Sequence, residues 1–129
     1  MNDETFIIDT NQVLNRNPSS NSDPYHNLPA EAWVQKQIEY GNTASPSGEG
    51  LIEPINKLKG KLVGVEIGVC LANTTEAFVK GIKNLKKLYA IDNYPIFVDL
   101  GGENLNEERQ DLMKAAAKEK LIPYKDKVE

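Results

Sequence analysis

An acidic residue, a turn of small residues and a second acidic residue twenty positions beyond that turn form the part of this chain best suited to chemistry. Glu66 lies near the end of an apolar run, and small side chains follow at Gly68, Cys70 and Ala72. Asp92 closes a second apolar run. Open α/β sheets hold a nucleoside with a strand, a tight turn, a helix and a further strand whose terminal carboxylate binds the ribose hydroxyls. The pattern therefore predicts a nucleoside-binding turn.

The same stretch resembles a known family. The run Glu66-Ile-Gly-Val-Cys-Leu-Ala72 is similar to motif I of the class I S-adenosylmethionine-dependent methyltransferases, where an acidic residue leads Gly-x-Gly-x-Gly. Tyr89-Ala-Ile-Asp92 resembles the strand that supplies their ribose-binding acid. The resemblance covers about residues 50–129 and departs from the family where cysteine and alanine replace the second and third glycines.

A dinucleotide site of the nicotinamide type fits less well. Its Gly-x-Gly-x-x-Gly pattern, started at Gly68, would need glycines at Cys70 and Asn73, and it would give Glu66 no role. We therefore favour S-adenosylmethionine as the cofactor over a dinucleotide.

The resemblance implies a role for each residue of the site. It places Glu66 near the methionine portion of the cofactor, Asp92 on the ribose and Asn93 beside the adenine. The complete set of cofactor-binding residues that it implies is Glu66, Gly68, Cys70, Ala72, Asn73, Asp92 and Asn93. Neither the catalytic residues nor the methyl acceptor is assigned.

Structural interpretations remain open beside these roles. Glu66 satisfies backbone N–H groups in one alternative, and the small residues make only a tight strand-to-helix turn. Asn73 is a helix cap in the capping-box spacing with Glu76. Asp92 begins an Asx-turn in the loop that follows it.

The periodicity of the sequence predicts the elements that position this site. Strands are expected at residues 62–67 and 88–91, with a helix between them whose apolar stripe is Phe78, Ile82 and Leu85. A second helix, capped by Asn104 or Asn106, should run to about residue 120, and Val128 should begin a third strand. Nearer the N-terminus, a helix from Pro29 to a cap at Gly41 and a short helical stretch at residues 51–58 are expected.

These elements indicate an α/β fold, a partial doubly wound (Rossmann-like) parallel sheet with flanking helices. Two units are expected: residues 1–49 as a polar extension with one helix, and residues 50–129 as a β-α-β-α-β half-domain. Relative to a full methyltransferase the chain is expected to be truncated, because the later strands and motifs are missing. The alternative function is accordingly a non-catalytic remnant that serves as an oligomerisation or interaction module.

Composition excludes several classes of protein. The net charge is −4 and no basic cluster stands out, so no nucleic acid is indicated as a partner. His26 has no ligand-type residues at suitable spacing, so no metal site is expected. One cysteine and no membrane-length apolar stretch predict a soluble, cytoplasmic protein.

The sequence also predicts how the sheet is completed. With no fourth strand beside residues 62–67, that strand would expose unpaired backbone groups on an apolar edge. A homodimer that pairs this strand across a two-fold axis is the favoured cover, and the segment Thr5-Phe-Ile-Ile-Asp9 is the alternative.

Overall fold

The protein is described from a computed structural model that covers residues 4–9, 25, 27–98 and 104–129. It is an α/β chain built on a three-stranded parallel sheet. In chain order its strands and α-helices are β1 (Glu4–Asp9), α1 (Ala30–Thr43), α2 (Ile52–Asn56), β2 (Leu62–Ile67), α3 (Asn73–Gly81), β3 (Leu85–Ile91), β4 (Phe97–Val98), β5 (Asn104–Leu105) and α4 (Glu107–Leu121). Short 3₁₀ helices lie at Glu49–Leu51 and Ile122–Tyr124.

The strand order of the sheet follows the order of the chain. β1 pairs with β2, β2 pairs with β3, and Val128 makes a further parallel bridge to Leu88 of β3. Parallel strands need crossover connections, which are right-handed in nearly all proteins. When every crossover steps in the same direction, this handedness places all the connecting helices on one face of the sheet.

The side chains that are buried along the strands agree with helices lying on one face of the sheet. The main apolar cluster joins Ile8, Leu62 and Leu88 from one sheet face to Ile55 of α2 and Phe78 of α3. A second cluster packs α1 against α4 through Trp33, Val34, Leu71, Leu105 and Met113.

The opposite sheet face carries exposed apolar side chains. Ile7 is 68% exposed, Ile91 53%, Tyr89 39% and Ile67 37%. Parallel sheets are normally covered on both faces, so this bare apolar face is unusual for the class.

The edge of β2 that the sequence left open is covered by β1. The two strands pair from Glu4 opposite Leu62 to Asp9 opposite Ile67. The ring of Phe6 lies over Gly64 and occupies the space that a Cβ atom at this position would need. This is the alternative cover predicted from the sequence. The homodimer stays a prediction, but closing this edge no longer requires it.

Several local predictions are confirmed. β2 has the predicted bounds, and Asn106 caps α4 by accepting a hydrogen bond from the backbone N–H of Arg109 at 2.9 Å. Val128 makes the parallel bridge expected of a third strand that begins there.

Among the described residues, no helix has both the length and the apolarity needed to cross a membrane.

Three local predictions are wrong. α1 does not end at Gly41 but continues to Thr43. β3 begins at Leu85 rather than residue 88, so Leu85 is a strand residue and does not extend the stripe of α3. Asn73 does not cap α3, because Ala72 is the cap residue and the Asn73 side chain instead accepts a hydrogen bond from Lys120 Nζ. A contact with a residue so distant in sequence is invisible to local capping rules.

Candidate functional site

The turn between β2 and α3 has alternate residues in the left-handed conformation. The φ angles are +89° at Gly68, +52° at Cys70 and +62° at Ala72. These are the three positions that align with the glycines of Gly-x-Gly-x-Gly. A left-handed conformation costs a non-glycine residue about 1–3 kcal/mol and persists only when the surroundings hold it in place.

Asp92 supplies much of what holds this turn. Its Oδ2 accepts a hydrogen bond from the backbone N–H of Cys70 at 2.8 Å, and its Oδ1 accepts one from the backbone N–H of Tyr94 at 2.7 Å. The Tyr94 hydroxyl donates to the carbonyl oxygen of Cys70 at 2.8 Å, and Gly68 N–H donates to Ile91 O at 2.9 Å. The carboxylate therefore ties the loop after β3 to the turn after β2.

The structure thus contains the Asx-turn that sequence reasoning kept as the alternative for Asp92. The bond to Tyr94, two residues ahead, is that turn. A carboxylate has about four acceptor positions, and two are occupied here, so each oxygen retains one acceptor position for a ligand hydroxyl.

Tyr94 completes the connection as a hydrogen-bond donor. Burial raises the pKa of its hydroxyl, and the neighbouring Asp92, Cys70 and Glu66 raise it further. The hydroxyl therefore keeps its proton at physiological pH and holds the carbonyl of Cys70.

Glu66 is fully buried, with 0% of its surface exposed. Neither carboxyl oxygen has a hydrogen-bond partner among the described residues, and the same is true of the Thr75 hydroxyl. Burial raises the pKa of Glu66 from its ordinary 4.5 to about 7; nearby Thr75 lowers it and the charge of Asp92 raises it. Thr75 stands close enough to favour the charged form, but without the geometry of a hydrogen bond. The alternative in which Glu66 satisfies backbone N–H groups is therefore wrong.

A cleft of about 220 Å³ lies at the carboxyl ends of β3 and of the bridge at Val128. The sheet side of the cleft is formed by Val69, Ala90, Asp92 and Tyr94, and the helix side by one face of α4. Its full lining is Val69, Ala90, Asp92, Tyr94, Lys114, Ala117, Lys118, Leu121, Val128 and Glu129.

Of the seven residues predicted to bind the cofactor, Asp92 lines this cleft. Glu66 is buried and Asn93 is exposed, and neither is part of the lining. The remaining four do not line the cleft but form the turn and the start of α3, and of these Cys70 donates its backbone N–H to Asp92: Gly68, Cys70, Ala72 and Asn73.

The α4 face of the cleft was missed by sequence reasoning. Lys114, Ala117, Lys118 and Leu121 follow one another at helical spacing, so a pattern search with that period finds them.

His26 lies outside the described residues. Within the described residues, no group of three or more histidine, cysteine or acidic side chains is arranged to hold a metal ion.

No protein-family model, curated protein or solved structure matches this chain.

Proposed function

We propose that this chain binds S-adenosylmethionine, or its product S-adenosylhomocysteine, as a methyltransferase-like domain with a Rossmann-like fold. The observation that carries the proposal is the turn with left-handed residues at Gly68, Cys70 and Ala72, bonded to Asp92 at the edge of a cleft. Ligands of open α/β sheets bind at the carboxyl ends of the strands, which is where this turn and the cleft lie.

The cleft supports binding of the nucleoside part of such a cofactor. Its volume of about 220 Å³ is below the ~300–1,000 Å³ typical of complete small-molecule sites. The free acceptor positions of Asp92 suit the two hydroxyls of a ribose, and the apolar walls suit a flat base.

For catalysis the proposal needs little acid–base chemistry from the chain. When bound, the cofactor supplies a sulfonium methyl group to a nucleophile that the sequence does not identify. The residues of the chain bind and orient it, and orientation alone supplies a large share of such a rate enhancement.

Calorimetric titration with S-adenosylmethionine and S-adenosylhomocysteine tests the proposal. We expect binding by the parent protein and weaker binding by Asp92→Asn, because the amide nitrogen can accept neither a ribose hydroxyl nor the backbone N–H that its position meets in the turn. Asp111→Asn is the matched control, because Asp111 is exposed on α4 and does not line the cleft. No detectable binding by the folded parent protein would reject the proposal.

The bare sheet face favours a second candidate function. We infer that a chain without cofactor binding would act as an oligomerisation or interaction module through the face that carries Ile7, Tyr89 and Ile91. Contiguous exposed apolar patches often mark interaction sites. Sedimentation of the parent protein and of Ile7→Lys tests whether the chain self-associates through this face. A parent that self-associates while Ile7→Lys does not supports the module, and two identical monomers contradict self-association.

A further inference from the structure

We propose that Lys114 and Lys118 make the cleft selective for a nucleoside that carries an anionic group, a phosphate or a carboxylate. This inference rests on the proposed function, because it uses the same cleft and the same Asp92. It adds a charge requirement that neither the turn nor the resemblance implies.

The two lysines lie one helical turn apart on the α4 face that lines the cleft. Neither ammonium group has a hydrogen-bond or ion-pair partner among the described residues. Two positive charges therefore lie side by side on the helix side of the cleft.

Neither acidic side chain of the cleft, Asp92 or Glu129, forms an ion pair with these lysines. Asp92 is held on the sheet side by two backbone N–H groups. The side chain of Glu129 forms an ion pair with Lys87, with Nζ and Oε2 3.3 Å apart. The cleft therefore presents acceptors on the sheet side and positive charge on the helix side.

Apolar surface separates the two polar sides. Val69 and Ala90 face the ligand space from the sheet, and Ala117 and Leu121 face it from the helix. A complementary ligand has hydroxyl donors, a flat apolar body and a negative group, in the chemistry of a nucleotide or of a nucleoside linked to a carboxylate.

The test compares adenosine, adenosine 5′-monophosphate and S-adenosylhomocysteine by calorimetry on the full chain. Each exposed lysine–phosphate contact contributes at most about a fivefold change in affinity. We therefore expect the monophosphate to bind about tenfold more tightly than adenosine at low salt, and the difference to shrink as salt screens the charges.

Lys114→Gln/Lys118→Gln should abolish that tenfold difference between the monophosphate and adenosine. Lys57→Gln/Lys59→Gln removes the same charge from exposed positions away from the cleft and should keep the difference. If the cleft variant also binds S-adenosylhomocysteine more weakly than the parent does, the lysines recognise the carboxylate of that ligand. If only the monophosphate binds more weakly, the lysines recognise phosphate.

Two results overturn the inference: a monophosphate that binds no more tightly than adenosine, and a control double variant that loses as much affinity as the cleft variant. Failure of the proposed function has a different signature. If the proposed function is wrong, S-adenosylhomocysteine does not bind the parent protein, whether or not the monophosphate binds through the lysines. A parent that binds none of the three ligands contradicts both.

Discussion

Glu66 should make the stability of this protein fall as the pH rises from about 4.5 to about 7. Its carboxyl is fully buried, and its pKa in the folded state is about 7, against an ordinary value of 4.5. Between about pH 4.5 and about pH 7, the carboxyl of Glu66 keeps its proton in the native state and releases it in the unfolded state. The free energy of unfolding therefore decreases from about pH 4.5 to about pH 7 and levels off above the folded-state pKa.

The size of the effect follows from the shift. One pKa unit corresponds to about 1.4 kcal/mol, so a shift from 4.5 to about 7 is worth roughly 3 kcal/mol across that range. This is a large part of the 5–15 kcal/mol that is typical of a folded domain.

Glu66→Gln tests this reasoning, because the amide keeps the shape of the side chain and cannot ionise. Urea unfolding at pH 5, 6, 7 and 8 should show stability falling in the parent and a flatter profile in the variant. The comparison uses the slope against pH, since a buried amide without partners carries a penalty of its own, about 1–3 kcal/mol. Glu53→Gln, at an exposed position of α2, should keep the slope of the parent. Parallel profiles for the parent and Glu66→Gln would refute the assignment.

Four further substitutions have defined outcomes. Asp92→Ala should weaken binding of S-adenosylhomocysteine by roughly 1.5–3 kcal/mol in calorimetry, because the ribose hydroxyls lose their acceptor; unchanged affinity would contradict the ribose assignment. Gly68→Val should abolish binding and lower stability by about 1–2 kcal/mol, since valine is strained at φ +89°; complete loss of the circular dichroism signal would show that its role is structural first. Gly64→Ala should cost about 1–3 kcal/mol in urea unfolding, because its Cβ meets the ring of Phe6. Asn106→Ala should cost about 1 kcal/mol by the same assay, through loss of the cap of α4.

Local signals in the sequence were sufficient for the elements with strong patterns. The apolar run at residues 62–67 has the length and flanks of a strand, and Asn106 has the position of a helix cap. The same rules failed at Asn73, because Lys120 lies 47 residues away and its contact depends on how α4 packs. The bare sheet face was equally hidden, since it follows from the strand order of the whole chain and not from any one segment.

The candidate site divides in the same way. Asp92 was predicted from the residues before it, since a strand that ends in a carboxylate is a local pattern. The environment of Glu66 was not predicted from the sequence, because its burial depends on how α3 packs against the sheet and on the position of Thr75. Lys114 and Lys118 were missed because their relevance comes from facing a strand end that is distant in sequence.

The two acidic residues that adjoin the turn, Glu66 and Asp92, have opposite environments, and this determines what each contributes. Both oxygens of Asp92 accept backbone hydrogen bonds, whereas neither oxygen of Glu66 has a partner among the described residues. With a pKa of about 7, Glu66 is a mixture of neutral and ionised forms near neutral pH. Glu66 does not line the cleft, so the charged side chains that a ligand meets there are Asp92, Glu129 and the two α4 lysines. Ionisation of Glu66 would place a second negative charge near Asp92 and oppose the turn that both residues adjoin.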